Sequence, residues 1–520
     1  MLEDPQTLLH IHTYNESLCS RHKHDKSGTR ESHHRRPPFL EHLVACHRGC
    51  VAVRAHMASS VPEERDRLQV LVLGAGVNGL TSALMLALDG FEPHIVSRDG
   101  YDETVSIGAG AIWEYPPFHV LPEELACRLA LSSRVFLNEL ARAESATGVR
   151  LLRSGYAWRH PPSDASNPPW SRLELIDDFT PEVLPAYSRD LVGGHWHRVP
   201  ILYMRRYLEW LQSACIDAGV RLHLGHTLRS RQDIGSVAAA LDLGVGGGPK
   251  EARSLSQLLV INCLGLGSCT VFGDKRMFPV KGQLAYLRAP HVTDVMDDSD
   301  SPFGLTYVVP QANGVVAVAG LAQVGNDDPT PTDEVHEELL TKCRYSFPCL
   351  RDAPVVGRWA GLRPGRRDGI RLEIEYAADT DTGFDTLHNY GHCGSGVILA
   401  WGSAHRVSLL AREWAVRRGV LSKLLSSSAP PPPRELANLV ALRARSEAIL
   451  SDPGPPGTTV ADLHTLDLHT LVATLHTLDG RAYLERFGVQ AKLSMAVAAV
   501  LKERPANPLL AIAELLSKSK

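Results

Sequence analysis

The stretch VLVLGAGVNGLTSALMLALDG, Val70–Gly90, decides the fold. A run of Val and Leu ends at Leu73 and leads into Gly74-Ala75-Gly76-Val77-Asn78-Gly79. An apolar pattern suited to a buried helix follows. In such a motif Gly74 permits a tight turn, Gly76 lets backbone approach a pyrophosphate, and Gly79 allows close helix packing, while the helix N-terminus stabilises phosphate charge. A second strand, PHIVSRD, ends at Arg98-Asp99, twenty positions after Gly79. That completes the strand–helix–strand context the motif requires. Asp99 is placed to accept a ribose hydroxyl, and Arg98 to meet a phosphate. These residues do not distinguish nicotinamide from flavin.

The rest of the chain sets the frame. Its 520 residues, 44% hydrophobic and 22% charged, have an ordinary globular composition with room for several domains. A net charge of -4 supplies no positive field for nucleic acid or an anionic membrane, and no run of about 18 apolar residues suggests a membrane span. Small-molecule chemistry or protein partners, in a soluble protein, are the expectation. The ten cysteines are scattered without a CxxC pair, which indicates free thiols in a reducing compartment. Cys46 and Cys50, with His42 and His47, fit no common zinc spacing, so no metal is expected.

Four segments follow. Residues 1–66 show no sustained periodicity, and the part before Met57 carries nine His, eight Lys/Arg and six Asp/Glu, too acidic for an organelle transit peptide. This extension is expected to be disordered, and Met57 offers an alternative start. Strands and helices alternate over 67–425, more than one hydrophobic core usually serves, so two intimately packed domains are expected. Residues 426–460 hold the spacers SSSAPPPPRE and SDPGPPGTT around a short amphipathic piece, which marks a Pro-rich linker. Residues 461–520 begin with LHTL three times, at 463, 468 and 475, at steps too unequal for a solenoid.

The segment then ends in RAYLERFGVQAKLSMAVAAVLKERPANPLLAIAELLSK, which reads as two short helices. Leu493, Val497, Val500 and Leu501 form one stripe. Asn507 is a natural N-cap before Pro508, and Leu509, Ile512, Leu515 and Leu516 form the second stripe. So short a pair needs another copy or another protein to cover it. Its pattern resembles the dimerisation and docking helix pair of the cAMP-dependent protein kinase regulatory subunit. The resemblance implies a homodimer whose groove accepts an amphipathic helix of a protein partner. The other reading is a hairpin folded back on its own enzyme.

Downstream of the opening motif, IVSRD, GAGAIWEYPPF, WHRVPILYMRRYLEWLQSACIDAGVRL, VINCLGLGS, VKGQL, LTYVVPQANGVVAVAGLAQVGN, RWAGLRPGRRDGIRLE and LHNYGHCGSGVILAWGSA occur in order between about 70 and 405. This arrangement resembles the D-amino-acid oxidase and D-aspartate oxidase family of flavoenzymes. The resemblance implies an α/β fold with a Rossmann-type FAD-binding domain interleaved with an antiparallel-sheet substrate domain. It also implies non-covalent FAD as the cofactor. A D-amino acid would lose a hydride from Cα to the flavin, the imino acid would hydrolyse to a 2-oxo acid and ammonia, and O2 would be reduced to hydrogen peroxide.

The resemblance assigns roles by position. Arg363 in GLRPG would grip the substrate carboxylate with two parallel charge-assisted bonds, about 1.5–3 kcal/mol apiece. Tyr307 in LTYVVP would reach the same carboxylate, and the backbone of Gly394 would accept the substrate amine. Cys393, Gly394, Gly396, Val397 and Ile398 would deliver backbone N–H groups to the flavin at a helix start. Ala109, Gly110 and Ala111 would bring backbone close to the cofactor, with Trp113 packed behind, and Thr227 would be a further cofactor contact. Cys393 departs from the family, which commonly has glycine there.

Ala322 stands where D-aspartate oxidases place an arginine for the second carboxylate, so neutral D-amino acids are expected over acidic ones. Glu114, bordering the same pocket, raises the option of a basic substrate. D-aspartate oxidase, a glycine or sarcosine-type amine oxidase, and a degenerate oxidase body serving as a scaffold are the alternatives. The chain ends Ser517-Lys518-Ser519-Lys520 rather than in a Ser-Lys-Leu type signal, so a cytoplasmic location is expected over a peroxisomal one.

Overall fold

The computed structural model describes residues 67–451, except 116, 118–119, 161–172, 174, 177, 182–189, 244–257, 299–300, 380–382 and 422–433. The expected disordered extension, about half of the Pro-rich linker and the docking helices lie outside the described residues.

The opening motif forms β1 (Gln69–Leu73), α1 (Val77–Leu88) and β2 (Glu92–Val96), with β1 and β2 paired in parallel. Their apolar residues are almost wholly buried, as parallel strands covered on both faces require. The chain then passes through α2 (Glu123–Ala141) into a second sheet with β3 (Val149–Trp158), β4 (Thr180–Pro181) and β5 (Gly193–Leu202). It returns through α3 (Met204–Asp217) to β6 (Arg221–His223), α4 (Arg231–Ala240), β7 (Leu259–Asn262) and α5 (Gly267–Phe272).

A long antiparallel excursion follows: β8 (Met277–Arg288), β9 (Val295–Asp298), β10 (Thr306–Pro310), β11 (Val315–Ala319), β12 (Gln323–Val324), α6 (Asp333–Ser346) and β13 (Val355–Arg366). Finally β14 (Arg371–Glu375), β15 (Asp385–Tyr390) and α7 (Gly396–Arg417) complete the first sheet and its cover. The first sheet has the order β14-β15-β7-β1-β2-β6, parallel except for the β14–β15 hairpin. The second has nine strands, ordered β12-β8-β11-β10-β9-β3-β5-β4 with β13 also on β8. It is antiparallel except where β3 meets β9 across a long stretch of chain. The interleaving expected from the sequence is therefore present.

Helix packing is tight beside the first sheet. A methyl at Gly402 on α7 would come within 2.2 Å of Leu129 O on α2, so only glycine allows these helices to lie so close. Buried Asp89, just past α1, receives Ser408, Arg412 and Arg443. Arg443 belongs to a strap formed by α8 (Arg434–Ala441) and α9 (Arg443–Ser451), the amphipathic piece between the two Pro-rich spacers. Leu436 and Leu439 are buried, and Ser446 meets Ser132 Oγ at 2.6 Å and His405 Nδ1 at 2.5 Å. This piece thus packs onto the body built around the two sheets. Among the described residues no helix is long and apolar enough to cross a membrane.

Candidate active site

The Gly74–Gly79 turn is as tight as backbone permits. A methyl on Gly79 would lie 1.9 Å from Gly74 O, and Gly74 itself has φ +99°, a left-handed conformation that favours glycine. Hydroxyls from further along the chain brace the turn. Ser97 Oγ accepts from Ala75 N at 3.3 Å, and Ser106 Oγ accepts from Val77 N at 3.1 Å. Gly76, the N-cap of α1, places no capping side chain over the helix start, so a phosphate has access to its dipole.

Arg98, Asp99 and Thr227 gather at the carboxyl end of β2. Arg98 and Asp99 hold each other at 2.6 Å, with the Arg98 side chain 71% exposed, rather than reaching apart toward separate ligand groups. Thr227 is exposed and follows His226, whose N–H donates to Ser97 O at 3.1 Å.

A second helix start meets the first. Asn78 Nδ2 donates to His392 Nδ1 at 3.4 Å across 314 positions of sequence, and His392 Nε2 is left to donate to Ser403 Oγ at 3.0 Å. Burial holds the His392 pKa down to about 4, so the ring is neutral and can play both parts. Gly396, which opens α7, lies so near Asn78 that an added methyl would sit 3.5 Å from its Nδ2. Val397 and Ile398 are buried in the first turn. The buried Asn78 Oδ1 has no hydrogen-bond partner among the described residues. Two positive helix ends and glycine backbone make a cradle that fits a dinucleotide diphosphate.

Between His392 and α7 the chain turns through Cys393 and Gly394. Cys393 has φ +49°, and holding a side chain there costs roughly 1–2 kcal/mol, which is the physical reason glycine suits this position. Burial pushes the Cys393 thiol above its ordinary pKa, against the opposing charge of Arg363.

Arg363 stands on β13 directly opposite Val280 of β8. Its Nη1 donates to Leu321 O at 3.0 Å. It makes no ion pair among the described residues. Space for its guanidinium exists because residue 282 is glycine: a methyl there would lie 2.4 Å from Cζ. A methyl on Gly394 would lie 3.5 Å from Arg363 Cδ, which puts the loop alongside the arginine.

Tyr307 completes the group from β10, and a methyl on Gly110 would touch its Oη at 3.4 Å. Burial raises the Tyr307 pKa; the Arg363 charge opposes that, and Glu114 and Asp297 add to it. The phenol therefore stays protonated and can donate. Gly110 sits between Ala109 and Ala111, the latter at φ +52° with its carbonyl accepting from Leu202 N at 3.0 Å. Trp113 is fully buried, with Nε1 donating to Ala130 O at 3.0 Å.

Arg363, Tyr307, Gly110, Cys393 and Gly394 thus come together from four separated segments, as do the cradle residues from three. Other members of the site carry no short motif. Ser97 and Ser106 are ordinary serines in sequence. Trp359 is clasped between Gly108 and Gly361, where added methyls would approach it to 2.1 and 2.2 Å. Asp297 enters the site because strand register puts it opposite Tyr307. The glycines around Trp359 were the only available signal among these.

Comparison with known proteins agrees with this geometry. The family described as FAD dependent oxidoreductase matches residues 69–410. A D-amino-acid oxidase of Rubrobacter xylanophilus is 33% identical over 348 residues, covering 66% of this chain and 95% of the relative. One from Streptomyces coelicolor is 32% identical over 361 residues, covering 68% and 100%. Human D-aspartate oxidase is 27% identical over 355 residues, covering 67% and 96%. Among solved structures, glycine oxidase from Bacillus cereus superposes with a TM-score of 0.52 at 16% identity, over 69% of this chain and 99% of its own, a likeness of fold alone. With a cradle shaped for a dinucleotide and a family match spanning both sheets, this chain belongs to the FAD-dependent oxidoreductase family, and its cofactor is FAD.

Proposed function

We propose that the protein oxidises D-amino acids with O2 to 2-oxo acids, releasing ammonia and hydrogen peroxide. The observation that carries this reading is the meeting of the Arg363 guanidinium, which has no ion pair among the described residues, with the Tyr307 phenol beside Gly394. Relatives named D-amino-acid oxidase at 33% and 32% identity support it. The turn Gly74–Gly79, the α7 start at Gly396–Ile398, the Cys393–Gly394 loop and Ala109–Ala111 would hold FAD, with Arg98, Asp99 and Thr227 on its ribose side. When bound, FAD supplies the two-electron oxidation.

The chain's own residues bind and orient. Arg363 grips the α-carboxylate, and Tyr307 donates a second bond to it. The carbonyl of Gly394 accepts an N–H of the substrate amine. With three points fixed, the Cα–H is held in one orientation, which is the protein's main contribution when the cofactor performs the chemistry. Ala322, next to the Leu321 that holds Arg363, offers no charge to a second carboxylate, so neutral side chains are favoured over acidic ones. The test is a visible spectrum before and after anaerobic addition of mixed D-amino acids. Bleaching of a flavin band, with peroxide formed on readmitting O2, is expected; a flavin that stays oxidised with every D-amino acid refutes the reading.

We infer further that residues 461–520 form a dimerisation and docking pair for an amphipathic helix, on the strength of their sequence pattern. Deleting 461–520 is expected to lower the sedimentation coefficient without altering flavin content. An unchanged coefficient counts against it.

A further inference from the structure

The two helices whose starts form the cradle are tied together a second time, further along. Asn78 and His392 join the beginnings of α1 and α7. Asp89 lies twelve residues after Val77, and Ser408, which donates to it, lies twelve after Gly396. The helices therefore run parallel and side by side for about 18 Å between the two ties.

Charge gathers at the second tie. The Asp89 side chain has no exposed surface and stands at the negative end of α1, where a carboxylate is disfavoured. Three side chains offset this. Ser408 donates to Oδ2, while Arg412 of α7 and Arg443 of the strap both donate to Oδ1. The Arg412 side chain is 43% exposed and that of Arg443 12%, so the strap supplies the better shielded cation. Arg443 Nη1 also reaches Leu88 O, in the last turn of α1, at 3.5 Å. The strap is seated at further points. Ser446 Oγ bridges Ser132 of α2 and His405 of α7, and Asn438 Nδ2 donates to Glu139 Oε1 of α2 at 2.9 Å. His405, Ser408 and Arg412 follow at steps of three and four, so the strap and Asp89 hold one face of α7. The strap lies beyond residue 410, where the family match ends.

We propose that the strap is a clasp on the cofactor cradle: Arg443, acting through Asp89, is a positioning residue that keeps α1 and α7 at the spacing in which both helix starts meet FAD. This rests on the reading that Gly74–Gly79 and Gly396–Ile398 hold FAD. Two parallel helix starts present like partial charges to each other, and they spread unless an anion lies between them or the helices are fixed elsewhere. Closely packed helices transmit strain, so release at Asp89 is felt at the starts. Without Arg443, FAD has to draw the helices together as it binds, and its affinity falls although its contacts are the same. Linkage is reciprocal, so bound FAD holds the strap more firmly.

The full-length chain, stripped of FAD and titrated with it, tests this, with flavin fluorescence reporting Kd. Arg443→Met keeps the length of the side chain and removes its charge; we expect Kd to rise at least about fivefold, with partial recovery in Arg443→Lys. A melting temperature that falls while Kd stays unchanged shows a merely structural role and overturns the proposal. If Arg443→Met does not fold, hydrogen exchange on the wild-type chain decides. FAD should slow exchange across Arg434–Ser451, and equal exchange with and without FAD overturns the clasp. Gly396→Ala separates this proposal from the reading beneath it. Its methyl would stand 3.5 Å from Asn78 Nδ2, an ordinary contact between the two helix starts, so the fold should survive and FAD binding weaken. Weakened FAD in Gly396→Ala but not in Arg443→Met removes the clasp alone. Unchanged Kd in both removes the cradle reading, and the clasp with it.

Discussion

At the proposed cofactor end of the site, six consecutive residues, Gly74–Gly79, make the turn themselves, braced by Ser97 and Ser106 and met by the start of α7. At the substrate end no two neighbours in sequence suffice. Arg363 comes from β13, Tyr307 from β10, Gly394 from the loop before α7 and Gly110 from the segment after β2. The difference teaches how each end tolerates change. A local turn fails through its own backbone geometry, whereas a dispersed anchor fails through loss of one charge while the fold around it persists.

Arg363→Ala should have the largest effect on turnover and so sharpen the contrast. Losing two charge-assisted bonds of about 1.5–3 kcal/mol each implies a fall in kcat/KM on the best D-amino acid of roughly 10²–10⁴-fold. Flavin content, read from the visible band, should stay at the wild-type level. Retained kcat/KM would remove Arg363 from its role, and lost flavin would show that the two ends are not separable.

Glycine substitutions in the turn probe the other end. Gly79→Ala places a methyl 1.9 Å from a backbone oxygen that cannot step aside, so stability should fall by at least about 1–3 kcal/mol and flavin should be lost. Gly76→Ala meets only the Ser106 hydroxyl, at 3.3 Å, and should do less to melting temperature than Gly79→Ala. An equal fall in melting temperature from the two breaks the argument that backbone crowding sets the requirement.

Much of the cofactor end was legible in sequence because its information is local: the glycine spacing, the flanking apolar runs and Arg98-Asp99 all lie within thirty residues. The order of motifs, read as a family resemblance, also singled out Tyr307, Arg363 and Gly394, the residues proposed to bind substrate. The φ of Cys393 was not legible, although its departure from glycine was. Nor was the link between Asn78 and His392, 314 positions apart, since hydrogen bonding between two helix starts depends on how α1 and α7 pack. The strap Arg434–Ser451 looked like an amphipathic piece among prolines, and only its buried contacts with Asp89, Ser132 and His405 make it part of the body.

By itself the sequence determined that a βαβ unit binds a dinucleotide and that an arginine and a tyrosine of family type are present, because steric demands of glycine and alternation of apolar residues act over a few positions. The tertiary structure alone decided that Asp297 stands on the same side as Tyr307. That outcome depends on the register of β9 against β10 and β3, where a slip of one residue would turn Asp297 to the opposite face.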